Sequence, residues 1–328
     1  MKSIRRTLLL GILGCASVAA SSVALAQAYP VKPITLVVPF AAGGPTDVVA
    51  RMLAVSMSKS LGQTIVVENK LGAGGTIAAN YVAKAVPDGY TILIHHAGMA
   101  TAPALYRKLP FNPLTDYEYV GQVIDVPMTL LARKDLPPNN FAELAAYVKA
   151  NAKTLNLANA GLGAVSHLCG MLFQRALGVD LTTVPFQGTA PALNALLGGQ
   201  VDILCDQTTQ TMSHIKGGTV KLYGVTTRER IKVLPDTPSL NEAGLKDFEV
   251  KVWHGIYAPK GTPAAVTDKL TVALRAALKD PAVIERMTEL AAEIVPESKQ
   301  TPEALRVLLK QEIEKWGPVI RAAGVYAD

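Results

Sequence analysis

The chain has 328 residues, with 32 Lys and Arg against 26 Asp and Glu, a formal net charge of +6, and 49% apolar but only 5% aromatic residues. No run of basic residues interleaved with aromatics is present, which excludes a nucleic-acid binder of that type. Three cysteines exclude a small disulfide scaffold, and the length suits one large domain or two ordinary ones.

The N-terminus begins with the basic stretch Met1-Lys2-Ser3-Ile4-Arg5-Arg6. An apolar run follows from Leu8, and the segment closes on Ala26-Gln27-Ala28, with small residues where a signal peptidase reads. Residues 1–28 are therefore expected to be a signal peptide, cut before Tyr29. A spanning helix needs about 20 mainly apolar residues, and the stretch after Ser21 is too polar for one. Ile12-Leu13-Gly14-Cys15 offers a rival reading as a lipoprotein box lipidated at Cys15, although Leu13 is large for its position. Cleavage removes Lys2, Arg5 and Arg6 with no acid, and the charge falls from +6 to +3. That is mild, compatible with an anionic ligand or with a plain solvated surface.

Ile34-Thr35-Leu36-Val37-Val38-Pro39 reads as a buried strand. Ala41-Ala42-Gly43-Gly44-Pro45-Thr46 turns into a helix ending near Lys59. A strand over 64–68, a glycine-rich turn over 69–75, a helix to about Ala85 and a strand over 90–94 follow. Short apolar runs alternating with helices predict a parallel sheet covered on both faces. The same alternation continues with strands near 128–132, 155–158, 183–186, 201–204 and 220–225. The helices between them lie near 141–150, 164–177, 191–197 and 205–216. A turn-rich stretch over 235–248 precedes a strand closing at Ile256-Tyr257-Ala258-Pro259, and helices cover 263–279 and 302–323. The pattern predicts two α/β lobes: residues 29–128 with 251–328, and residues 129–250. Cys169 and Cys205 each sit in an apolar run; they either pair or serve as buried small hydrophobes.

Open α/β sheets bind ligands beyond the carboxyl ends of their strands. Four loops occupy that position: Pro39–Asp47, Asn69–Thr76, Asn159–His167 and Phe186–Thr189. Their glycines allow backbone N–H groups to converge on an anion at a helix start. Each could equally be a tight turn or a packing point. None matches G-x-x-x-x-G-K-[ST], and Ser166 stands where a G-x-G-x-x-G fingerprint needs its last glycine, so nucleotide binding has no support. Asp47 falls in a first helical turn, where the helix dipole favours it, or it holds a ligand ammonium. His95-His96 ends a strand without further ligands at zinc spacing, so a polar pocket wall is expected there rather than a metal. His167 serves as a cap or a ligand contact, and Asp206-Gln207 as a helix cap or a ligand partner. No nucleophile elbow, zincin motif or Cys–His pairing is present.

Together these residues carry a resemblance. The chain resembles the periplasmic solute-binding proteins of the tripartite tricarboxylate transporter family, the Bug/TctC group, over essentially its whole mature length. The marks are Tyr29-Pro30-Val31-Lys32-Pro33-Ile34, Val38–Asp47 with Ala50-Arg51, Val67–Lys70 with Gly72–Gly75, and Pro87–Thr91. Further on come Gly161-x-Gly163 with His167-Leu168, Pro185-Phe186-x-Gly188, Pro238–Gly244 and Gly255–Pro259. The resemblance implies a periplasmic-binding-protein-like α/β fold, two domains around a hinged cleft. It implies a non-enzymatic monomer in the periplasm, without cofactor or metal, that hands a small organic carboxylate to integral membrane transporter subunits. Di- and tricarboxylates, acidic amino acids and aromatic carboxylates fall in that class. A regulatory ligand sensor and an exported enzyme on the same fold are the alternatives.

By position the resemblance points to Phe40, Ala42, Gly43, Thr46 and Asp47 from the first loop, and to Gly74 and Gly75 from the second. Gly163, Ala164 and His167 come from the third loop, with Phe186, Gly188 and Thr189 beside them. Asp206 lines the cleft, and His95 adds a polar wall. The family often has Ser or Thr where this chain has Ala164, and small or hydroxylated residues where His95 and His96 stand.

Overall fold

The structure, a computed structural model, describes residues 29–324, 326 and 327. The expected signal peptide and Cys15 lie outside the described residues.

The first strand, β1 (Ile34–Val38), is almost wholly buried, as its β-branched and leucine run requires. Pro45 then starts α1 (Pro45–Leu61) at a position where no intrahelical N–H is needed, and Gly62 ends it in the left-handed region. β2 (Ile65–Asn69), α2 (Thr76–Ala83) and β3 (Thr91–His96) complete the first parallel set, with β1 between β2 and β3. After α3 (Gly98–Leu105) comes β4 (Tyr117–Arg133), a 17-residue strand.

β4 joins the two halves. Through Pro127 it pairs antiparallel with β9 (Lys251–Pro259), and from Met128 it pairs with β7 (Ile203–Gln207) and β8 (Val220–Val225). Between these lie α4 (Phe141–Asn151), β5 (Asn156–Asn159), α5 (Val165–Leu177), β6 (Thr182–Pro185), α6 (Thr189–Leu197) and α7 (Thr208–Lys216). The chain closes with α8 (Ala264–Leu278), α9 (Pro281–Glu289), the short β10 (Glu293–Ile294) and α10 (Pro302–Ala322). The strand order is β2-β1-β3-β9-β4-β7-β5-β6, with β8 and β10 also on β4.

The sheets are mixed, not parallel as the alternation predicts. Helices connect the parallel pairs β1–β2, β1–β3, β5–β6 and β5–β7, while β9 lies antiparallel to both β3 and β4. The reason is connectivity. β4 leaves the first lobe and β9 returns to it, so the two run side by side in opposite directions without a crossover helix.

Cys169 on α5 and Cys205 on β7 form a disulfide, 36 residues apart in sequence and buried in the second lobe. Closing a loop of that length restricts the unfolded chain by about 3–4 kcal/mol on the chain-entropy model. Replacing both cysteines by Ala should therefore lower the urea midpoint clearly, and reductant should lower it for the natural chain alone. An unchanged midpoint would show that the bond contributes nothing to stability.

Candidate functional site

The first loop is held from behind. Asp47, 2% exposed, accepts two bonds from Arg51 (2.8 and 3.0 Å), one from Asn69 Nδ2 (2.9 Å) and one from the Gly43 N–H (2.8 Å). Asn69 Nδ2 also donates to the Phe40 carbonyl at 2.9 Å. Burial pushes the Asp47 pKa up, but the donors from Arg51, Gly43 and Asn69 outweigh it and hold the carboxyl below the usual range. With four donors its acceptor sites are filled. Asp47 braces the loop and α1 rather than facing a cavity.

Opposite this loop stands the second lobe. Thr101 on α3 donates to the Gly163 carbonyl at 3.0 Å, and Tyr106 donates to the Leu162 carbonyl at 3.1 Å. Gly74 sits in the left-handed region (φ 61°), and a Cβ there would overlap the Leu162 carbonyl. A Cβ on Gly188 would sit 3.1 Å from the Ala41 nitrogen. The glycines thus permit backbone to meet backbone across the cleft. A cavity of about 200 Å³ remains between Phe40, Gly72–Gly75, Tyr106, Gly161-Leu162 and Phe186-Gln187.

Beyond Phe40 is a second, narrower pocket of about 10 Å³, lined by Pro45-Thr46, His96, Ala164-Val165-Ser166, Thr189 and Asp206-Gln207. Four helix starts meet there. The residues before α1, α5, α6 and α7 are Gly44, Ala164, Gly188 and Gln207, and none caps its helix with a side chain. Away from the cleft, Asn140, Asp280 and Thr301 cap α4, α9 and α10, whereas Pro263 before α8 supplies no side-chain cap. First-turn N–H groups have no intrahelical acceptor and carry the positive end of the helix dipole. Their convergence on one pocket makes a natural anion cradle. Pocket residues include no Lys or Arg, so the attraction comes from backbone dipoles.

Three imidazoles lie beneath the first loop. His96 stacks on Phe40 (4.6 Å between ring centres), His95 meets Phe40 edge-on, and His254 from β9 lies edge-on to His96. Burial lowers the His95 pKa to about 4 and that of His254 to about 3; burial and then its imidazole neighbours hold His96 well below 6.5. The Gly98 N–H donates to His96 Nδ1, so the neutral ring carries its proton on Nε2. His254 Nε2 lies 3.2 Å from Thr46 Oγ1 and fixes that hydroxyl at the pocket edge. His167, at about 4 through burial, accepts from the Gly163 N–H at 3.2 Å and so ties the third loop to its helix. Asp206 is the opposite case. Burial pushes its carboxyl up to about 7, against donors from Gln207 N–H (2.7 Å) and Thr189 Oγ1 (2.8 Å).

Of the residues named from sequence, Phe40, Thr46, Ala164, Thr189 and Asp206 line the narrow pocket, and Gly74, Gly75 and Phe186 line the wider one. Gly163 and Gly188 meet the opposing lobe. His95 lies behind Gly75, His167 sits beneath its loop, and Ala42 and Gly43 are exposed outside both cavities. Sequence reasoning did not name Ser166 or Tyr106 as ligand residues, whereas Gln207 and His96, given there as a ligand partner and a pocket wall, both line the narrow pocket. Ser166 adjoins the named His167. Tyr106 follows an unrecognised helix and had no local signal. Among the described residues, no group of three or more His, Cys, Asp or Glu is placed to hold a metal, and no helix is long and apolar enough to cross a membrane.

Comparison with known proteins places this geometry in context. The structure of the periplasmic binding protein BugD is 56% identical, with a TM-score of 0.89, over 91% of this chain and 99% of that one. MatC from Rhodopseudomonas palustris, solved with bound malate, is 45% identical with a TM-score of 0.87, over 89% and 100%. Another R. palustris protein, solved with adipate, is 33% identical with a TM-score of 0.87, over 91% and 99%. The fold is that of the two-domain periplasmic solute-binding proteins, and these neighbours are binding proteins rather than enzymes. A family model described as the tripartite tricarboxylate transporter family receptor matches residues 49–325. The chain belongs to the TctC family of tripartite tricarboxylate transporter receptors.

Proposed function

We propose that this chain is a periplasmic receptor that captures a small organic carboxylate and delivers it to the membrane subunits of a tripartite tricarboxylate-type transporter. It works as a monomer and performs no chemistry. Residues 29–128 with 251–328 form one domain and residues 129–250 the other, hinged where β4 and β9 cross. The observation that carries the reading is the meeting of four helix starts without side-chain caps on one buried pocket. The malate and adipate held by two structural neighbours support the ligand class. In this reading the ligand carboxylate takes the N–H groups that open α1 and α5, with the Thr46 hydroxyl beside it. The glycines at 74, 75, 163 and 188 let the lobes shut over it. Excluding water strengthens these bonds.

The test is a thermal-shift screen of the purified protein against mono-, di- and tricarboxylates, aromatic ones included. At a hundredfold excess over Kd, a ligand adds about 2.7 kcal/mol to folding stability. At least one carboxylate should raise the melting temperature. If none does while a sugar or a cation does, the ligand class is wrong.

A further inference from the structure

Asp206 does not fit a pocket meant only for anions. It is 1% exposed and lines the narrow pocket. The Gln207 N–H and the Thr189 hydroxyl use one site on each carboxylate oxygen. An ionised carboxylate offers about four such sites, so about two remain. Among the described residues no Lys or Arg pairs with it, and no cation influences its titration. His96 is the one imidazole on the same wall, and it is held neutral. The adjacent starts of α6 and α7 offer only weak partial positive charge. Burying an ionised carboxylate costs far more than that charge offsets unless it is paired.

The pocket, which at about 10 Å³ has room for roughly one water and must widen to admit a ligand, therefore has two chemical ends. One, at the starts of α1 and α5, offers N–H donors to an anion. The other, Asp206, offers acceptor capacity, and negative charge once a donor faces it. A plain dicarboxylate would set its second carboxylate against that of Asp206. A molecule with a carboxylate at one end and a hydrogen-bond donor facing Asp206 satisfies both.

We propose that Asp206 determines specificity in this pocket, and that the ligand is a carboxylate bearing a hydroxyl or ammonium donor directed at the Asp206 carboxylate. The proposal rests on the carboxylate-receptor reading above and narrows it.

The experiment is titration calorimetry with two matched sets on the natural protein: succinate, malate and aspartate, then glutarate, 2-hydroxyglutarate and glutamate. Within a set only one substituent changes, and the hydroxyl and amino members separate the two donor types. In at least one set, a donor-bearing member should bind about tenfold or more tightly than the plain diacid. Asp206→Asn keeps the oxygen that accepts from Gln207 but removes the charge and makes the other position a donor. It should bring the members of that set within about threefold of each other, chiefly by weakening the donor-bearing one. Equal binding of plain and substituted diacids by the natural protein overturns the proposal while leaving the carboxylate reading intact. So does an Asp206→Asn variant that weakens every member by the same factor, since a mere strut between α6 and β7 acts without regard to ligand. Binding of none of the six also overturns it, and the wider carboxylate screen then decides whether the parent reading falls too.

Discussion

Gly74→Ala is expected to lower ligand affinity by roughly 10- to 100-fold while leaving the fold intact. The new methyl would overlap the Leu162 carbonyl of the opposing lobe, with the Tyr106 hydroxyl 3.0 Å away. Overpacking of this kind costs about 1–3 kcal/mol, which corresponds to that loss in affinity. The overlap exists only while the lobes touch, so the penalty falls on the ligand-enclosing arrangement. Alanine in the left-handed region costs a further 1–2 kcal/mol or so, in either arrangement. Gly62→Ala supplies the control. Gly62 has a similar φ of 66°, and a Cβ there meets nothing within 4 Å. It should show the same small loss of stability with affinity unchanged. Equal affinity in the two variants would show that contact between the 72–75 and 160–163 loops plays no part in binding.

Acidification from pH 7 to pH 5 should destabilise the folded chain by something on the order of 3 kcal/mol. An unfolded chain protonates its histidines near 6.5, whereas burial holds His95 and His167 at about 4 and His254 at about 3. Between those limits the unfolded state binds more protons, so stability falls as the pH drops through the window. Each imidazole contributes roughly 2 kcal/mol at pH 5. Asp206 acts with the opposite sign. Its folded pKa of about 7 lies above the ordinary 3.8, so acidification relieves a cost already present at neutral pH. That gain offsets about one imidazole. Urea midpoints at the two pH values measure the balance. His254→Gln should flatten the dependence, because it removes one buried imidazole and keeps a polar group near Thr46. Stability independent of pH across this range would mean these rings are hydrated or already charged in the folded state.

The parts of the site that were legible in sequence are the local ones. Gly43-Gly44-Pro45-Thr46 specifies a turn and a helix start through backbone preference alone, and Gly161-x-Gly163 does the same. Other features depend on distant partners. Asp47 could have been a ligand group until Asn69, 22 residues on, was seen to share it with Arg51. The first half of β4 carries no clean strand signal because Gly121, Gln122 and Asp125 interrupt its apolar run; its burial comes from β9, more than a hundred residues away. Helix α3 begins at Gly98 and carries Pro103, both of which argue against a helix locally; the surrounding burial overrides them. The cysteines were ambiguous for the same reason, since only the packing of α5 on β7 brings them together. The charge of Asp206 could be read from sequence, but its isolation from every cation among the described residues could not.

The central claim is that a carboxylate is held between the lobes by the backbone of converging helix starts. A crystal structure of the protein with a carboxylate found in the thermal-shift screen tests it most directly. The expected result places the carboxylate oxygens within hydrogen-bond distance of N–H groups at the starts of α1 and α5, beside Phe40 and Thr46. A carboxylate found elsewhere contradicts the account. The clearest such site is the 600 Å³ groove lined by Arg228, Arg230, Lys251 and Met287.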